Sequence, residues 1–205
     1  MIEYFLRSHD FADTQLGNVE KYFIREHLEQ ASGKFFFEAG AVNGFHMSQT
    51  ATLERVHGWT GILVEAHLDL FDLLAKGSRK AKPVRAFLGD PGGVTFFEQK
   101  IAGHVGHSQL RETRINENCI VCETQEVEEI LRLHDAPPVI DFMVIDVEGG
   151  WRQAFRGIDF EARRIDFLGI EMKERDEEII SEMIGRGYDL ETVLGGEDYL
   201  FKFKG

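Results

Sequence analysis

The sequence predicts an α/β fold: one doubly wound, mostly parallel seven-stranded sheet with helices on both faces and an antiparallel last strand. Three observations lead to that expectation. Short apolar runs alternate with amphipathic segments from Lys34 to Phe203. The run Val139–Val147 is almost continuously apolar, as a strand covered on both faces must be. The chain closes on two strand-like runs, Tyr188–Val193 and Tyr199–Phe203, joined around Gly195-Gly196, so the last strand should turn back on its neighbour. At 205 residues the chain is long enough for one domain with a sizeable core. The expected organisation is a single domain over residues 1–205. Residues 1–33 form a helical N-terminal extension, and residues 98–118 a mobile loop over the site.

The elements follow in order. Asn18–Gln30 reads as an amphipathic helix with Val19, Phe23, Ile24 and Leu28 on one stripe. Lys34–Ala39 is the first strand, its Phe35-Phe36-Phe37 triplet in the core, and His46–His57 the first crossover helix. Trp59 packs the turn into the second strand, Gly61–Glu65, and Leu68–Lys76 is the second crossover helix. Val84–Leu88 is a third strand ending in the turn Gly89–Gly93, and Val94–Phe97 a short hairpin arm. Gly103–Asn118 is polar and aperiodic, the mark of a lid or binding loop. Cys119–Glu123 is a strand, Val127–Leu133 a helix, Gly150–Phe155 a helix, Ile165–Ile170 a strand and Glu174–Ile184 a helix. The charged run Lys173–Glu178 is expected to be a solvated helix face.

The ligand is read from the segment Phe35 to Gly44. A buried strand that turns through glycines toward a helix brings backbone N–H groups against a nucleotide-like ligand. Glu65 closes the second strand about 20 residues past the turn, where a carboxylate can accept both hydrogen bonds of a ribose diol. The ligand is therefore expected to be an adenosine derivative. The loop Gly40-Ala-Val-Asn-Gly44 lacks the middle glycine of a dinucleotide site, and Phe45-His46 stands where a P-loop needs Lys and then Ser or Thr. S-adenosylmethionine carries no phosphate, tolerates a bulkier loop and offers cationic groups that Glu38 suits. The same residues also fit an ordinary β-turn-α connection.

Glu38, Glu65, Asp90, Asp146 and Glu148 are expected to converge at the carboxyl ends of the strands, where such sheets bind ligands. Asp146 and Glu148, two apart at the end of a buried strand, point to one face and read as a base or orienting pair, or as charges at a helix start. His104 and His107 are candidate loop residues near a substrate, one of them a general base, or else solvated. His46 and His67 could each contact ligand or simply begin a helix. His104-x-x-His107 with Cys119-x-x-Cys122 has zinc-like spacing. Ile120 and Val121 between the cysteines form strand rather than a metal knuckle, so no metal is expected.

Composition narrows the partners. A net charge of −13 opposes phosphate backbones, so nucleic acid is not expected, and neither is an anionic membrane. No apolar run approaches the ~20 residues of a membrane span. The N-terminus shows no secretion signal, and two cysteines make no disulfide scaffold, so a cytoplasmic location is the expectation.

The chain resembles the FkbM family of S-adenosylmethionine-dependent methyltransferases. The resemblance rests on Phe37–Gly44, Ser48-Gln49-Thr50 with Leu53-Glu54, Gly58–Glu65, Ile140–Gly149 and the close from Gly187-Tyr188 to Asp198–Phe201. It implies a Rossmann-like methyltransferase fold and methylation of a hydroxyl oxygen on a sugar or small natural product. Gly40 and Gly44, with Ala41, Asn43 and Ser48, would form the cofactor turn. Glu38 would lie beside the methionine portion, Glu65 with Ala66 at the ribose, and Asp90 at the same cofactor. Asp146 and Glu148 would face the methyl-transfer region, Asp146 also touching cofactor. The chain departs from the family at Gln49, where Asn is common, at Gln125-Glu126, where Leu-Asp is common, and at Trp151, where an acid is common. A non-catalytic binding module of the same fold and an NAD-dependent oxidoreductase are the alternatives.

Overall fold

The computed structural model describes residues 17–28, 32–92, 94–98, 109–111 and 119–205. Its main sheet has seven strands: β1 (Phe35–Ala39), β2 (Thr60–Glu65), β3 (Lys82–Arg85), β9 (Phe142–Ile145), β11 (Phe167–Glu171), β12 (Tyr188–Leu194) and β13 (Asp198–Phe203). Their order is β12-β13-β11-β9-β1-β2-β3. The pairs β1–β2, β1–β9, β9–β11 and β2–β3 are parallel. β13 runs antiparallel to both β11 and β12, so the last strand is reversed as expected.

Alternation along the strands builds two cores. Phe37 and Ala39 of β1 face one layer with Trp151 and Phe155 of α5 (Trp151–Arg156), Leu131 of α4 (Val127–Leu133) and Ile179 of α6 (Glu177–Gly185). Phe36 faces the other layer, with Val19 and Phe23 of α1 (Asn18–Glu26), Leu53 of α2 (Ala51–Arg55) and Leu74 of α3 (Leu68–Lys76). Trp59 is buried in that second layer, edge-on to Phe23 at 5.9 Å between ring centroids. This two-sided cover is why the central strands can be apolar at consecutive positions. Among the described residues no helix is long and apolar enough to cross a membrane.

Several boundaries differ from expectation. The first crossover helix is only α2; residues 46–50 are turns and bends, for reasons that lie in the site. The expected third strand divides at Ala86: β3 stays in the main sheet, while β4 (Phe87–Leu88) pairs with β7 (Cys119–Gln125) in a four-stranded sheet. The hairpin arm is β5 (Val94–Glu98), antiparallel to β7 and to β6 (Gln109–Arg111). Residues 109–111 are thus strand rather than loop; the rest of 99–118 lies outside the described residues. Polar residues cut two apolar runs. Asp141 separates β8 (Val139–Ile140) from β9, its carboxylate accepting the Phe35 N–H at 2.8 Å. Asp166 separates β10 (Arg164–Ile165) from β11. The run Lys173–Glu178 is not a helix face: α6 starts at Glu177, and buried Asp176 caps it by accepting from the N–H groups of Glu178 and Ile179.

Candidate functional site

The turn after β1 is fixed by its backbone bonds. Gly40 sits at φ +85°, and a Cβ there would lie 1.8 Å from the carbonyl oxygen of Asp146, so only glycine fits. This contact brings the turn against the end of β9. The N–H groups of Gly40 and Ala41 both donate to the Val64 carbonyl at 3.0 Å, and the Val42 N–H to Glu65 Oε2 at 2.8 Å. Val42 holds a left-handed φ of +53°, strained for a β-branched residue and the kind of backbone that collects at working sites. Asn43 Oδ1 accepts the N–H groups of Phe45 at 3.0 Å and His46 at 2.8 Å.

Glu38 explains why no helix begins at His46. Its carboxylate accepts from the Gln49 N–H at 2.8 Å, the Ser48 hydroxyl at 3.1 Å and the Thr50 hydroxyl. Groups that a helix would use are spent on this buried acid, and Met47 takes a left-handed φ of +54°. Arg79, 1% exposed, ties the same segment together through the Gly44 carbonyl, Ser48 at 3.1 Å, Thr50 at 2.9 Å and Glu54 at 3.1 Å. Burial raises the Glu38 pKa, against the pull of Arg79 and its hydrogen bonds. Both its oxygens are occupied within the protein, so it holds the turn rather than presenting a bare carboxylate.

Glu65 ends β2 as expected, buried, and takes N–H groups from His67 at 2.8 Å, Val42 and Ala66. Burial outweighs those donors and lifts its pKa to about 7. His67 is the N-cap residue of α3, and burial lowers its pKa, as it does for half-buried His46. Both imidazoles are therefore neutral at neutral pH.

A second group of acids lies at the ends of β9, β11 and β13. Oxygens of Asp146, Glu148 and Glu171 lie within 4.8 Å of one another, a spacing that a cation could bridge. The cation found there is the Lys173 ammonium, 2.7 Å from Glu171, 3.2 Å from Glu148 and 3.5 Å from Glu197. Burial, then Glu171, Glu148 and Asp198, hold the Asp146 pKa well above the ordinary value. Burial and Glu171 likewise push Asp198 up to about 6. Burial works against the Lys173 ammonium, but Glu171 and Glu148 outweigh it and keep it charged. Glu148 itself sits at φ +50°, left-handed as Val42 and Met47 are.

The five expected acids therefore divide. Glu38 and Glu65 support the turn, and Asp146 and Glu148 belong to the Lys173 group. Asp90 lies exposed in the turn after β4; no hydrogen bond or ion pair among the described residues joins it to the other four. His104 and His107 lie outside the described residues. Cys122 is a buried thiol within strand β7, its pKa pushed up to about 11 by burial. Sequence reasoning missed Arg79, Glu20, Glu171, Lys173 and Asp198. Glu171 had a usable signal, an acid closing an apolar run just as Asp146 does; Arg79 and Glu20 had none, because their partners are 25 to 35 residues away.

The family described as the Methyltransferase FkbM domain matches residues 38–190. This chain belongs to the FkbM methyltransferase family. Among solved structures, this FkbM domain is similar to the methyltransferase FkbM from Methylobacillus flagellatus KT, at 14% identity and a TM-score of 0.52. That alignment covers 94% of this chain and 49% of that one, so the domain spans about half of its relative's length. It is also similar to the N-terminal domain of human METTL16, solved with SAH, at 12% identity and a TM-score of 0.46, covering 89% of this chain and 65% of that one. The likeness to the first of these bears on fold alone. A search of curated proteins gives no match.

Proposed function

We propose that this FkbM domain binds S-adenosylmethionine at the Gly40–Gly44 turn and methylates a hydroxyl oxygen of a small acceptor such as a sugar. The observation that carries the reading is the close approach of Gly40 to the Asp146 carbonyl, which sets the Gly40–Gly44 turn beside a group of acids at the strand ends. The residues suit the cofactor: Glu65, buried and with a raised proton affinity, gains from hydroxyl donors such as a ribose diol. The acids of the Lys173 group favour a cationic ligand over a pyrophosphate. When bound, S-adenosylmethionine supplies an electrophilic methyl group on a sulfonium. The chain's own part is to hold the acceptor hydroxyl in line and take its proton, for which Asp146 and Glu148 stand ready.

Calorimetry tests the reading. S-adenosylmethionine and S-adenosylhomocysteine are expected to bind, and NAD not to. Glu65→Ala should weaken the adenosyl ligands by about 1.5–3 kcal/mol, the usual range for hydrogen bonds to a charged group. NAD binding without S-adenosylhomocysteine binding would overturn the assignment.

A further inference from the structure

Among the described helices only α6 is capped by the side chain of its own N-cap residue, and two of the others, α1 and α2, are capped from each other's segments. At the start of α1 the N-cap residue is Gly17, which has no side chain, and α1 carries no side-chain cap from that position. At the start of α2 the N-cap residue is Thr50, whose hydroxyl is committed to Glu38, and no side-chain cap comes from it either. Each helix is capped by a residue belonging to the other's segment. Gln49 Oε1 accepts the N–H groups of Val19 at 3.2 Å and Glu20 at 3.3 Å, the second and third residues of α1. Glu20 Oε1 accepts the N–H groups of Thr52 at 2.6 Å and Leu53 at 3.1 Å, the second and third residues of α2. Those are the positions that a capping side chain serves.

The exchange is closed off from water. Glu20 is fully buried and Gln49 nearly so. A third link runs from the Gly17 N–H to the Ser48 carbonyl at 2.9 Å. A Cβ at Gly17 would lie 2.0 Å from Gln49 Oε1, so a larger residue there would displace the Gln49 amide. Gln49 also gives its own backbone N–H to Glu38, so one residue joins α1 to the acid that organises the turn. α1 lies outside the segment matched by the family, which starts at residue 38.

We infer that α1 is a working part of the cofactor turn: Glu20 and Gln49, by exchanging caps, make the docking of α1 and the ordering of residues 44–53 one event. They act as positioning residues for the ligand held by that turn. This rests on the proposed function, since the ligand is the adenosyl cofactor named there. Coupling of this kind is reciprocal, so cofactor must hold α1 down as firmly as α1 holds the turn.

The probe is S-adenosylhomocysteine, read by calorimetry at a temperature where each variant is folded. Glu20→Ala and Gln49→Ala are each expected to weaken it by about 3- to 30-fold, the range that loss of a cap supplies. Glu20→Gln should stay within about twofold, because one oxygen accepts both α2 amides and a buried amide carries no charge to desolvate. A control removes a pair of side chain–backbone bonds in the exposed turn after α5. Asp159 Oδ1 accepts the N–H groups of Glu161 and Ala162, and Asp159→Ala should leave the affinity unchanged. Should Glu20→Ala fail to fold, Gln49→Ala and hydrogen exchange of the intact chain decide. Added S-adenosylhomocysteine should then slow exchange at Val19, Glu20, Thr52 and Leu53 together. Wild-type binding that is matched by both alanine variants, or that leaves exchange at Val19 and Glu20 unchanged, overturns the inference alone. A wild-type chain that binds no S-adenosylhomocysteine overturns the proposed function and the inference with it.

Discussion

Arg79→Met is expected to destabilise the fold by about 3–5 kcal/mol, the range for removing one partner of a buried ion pair. The guanidinium is almost fully buried and meets Glu54, the Gly44 carbonyl and the hydroxyls of Ser48 and Thr50 at once. Without it Glu54 keeps only the N–H groups of Lys80 and Ala81, and Glu38 loses the one cation that offsets its burial. Methionine fills much of the volume, so the loss would report charge rather than cavity. Arg79→Lys should recover little, because a single ammonium cannot span the four acceptors that the planar fork reaches. Urea unfolding measures both variants; a loss below about 1 kcal/mol for Arg79→Met would show that the turn holds without it.

Removing the base should have the larger effect on turnover. Burial and the neighbouring Glu171 carboxylate hold the Asp146 pKa well above the ordinary carboxylate value. An acceptor hydroxyl has a pKa far above 7, and a carboxyl whose proton affinity is raised toward neutrality receives its proton better than an ordinary one. Asp146→Asn and Glu148→Gln are each candidates for a loss of ~10²–10⁴-fold in turnover with a smaller change in cofactor affinity. If Asp146 is the base, Asp146→Asn should also remove the acidic limb of the pH–rate profile, where wild-type turnover rises with pH through the raised Asp146 pKa. A parallel loss of cofactor affinity in Asp146→Asn would make it a cofactor ligand instead. Near-wild-type turnover in both variants would exclude carboxylate catalysis by this pair.

The sheet was legible because its evidence is local. Val127–Leu133 is the helix that its apolar spacing predicts, and the reversed last strand follows from two short runs around Gly195-Gly196. The turn and Glu65 were legible for the same reason: they close apolar runs. What could not be seen was long-range. Asp141 and Asp166 sit inside apolar runs and interrupt strands, Asp141 through a bond to Phe35. His46–Thr50 has helix-compatible residues, and only the buried Glu38 shows why they do not form one. Lys173 and Asp176 read as surface charge by composition, yet one gathers three acids and the other caps a helix from a buried position. Convergence of the acids was half legible. Strand ends place Asp146 and Glu148 together, but β4, which leads into the turn with Asp90, belongs to the four-stranded sheet rather than the main one.

If the cofactor binds as proposed, the buried Glu65 carboxyl would link its binding to proton release. With a pKa of about 7 it is close to half protonated at neutral pH. Hydroxyl donors stabilise the carboxylate, so a ribose bound at Glu65 would lower that pKa and drive off up to about half a proton per site at pH 7. The heat of binding S-adenosylhomocysteine would then depend on the buffer that takes up the proton, differing between phosphate and Tris by that fraction of their ionisation enthalpies. Affinity would climb as pH approaches 7 and level off above it, because the free carboxyl is then already ionised. In Glu65→Gln the buffer dependence should vanish. The occupancy of this domain would thus follow the acidity of its surroundings, with no histidine required to sense it.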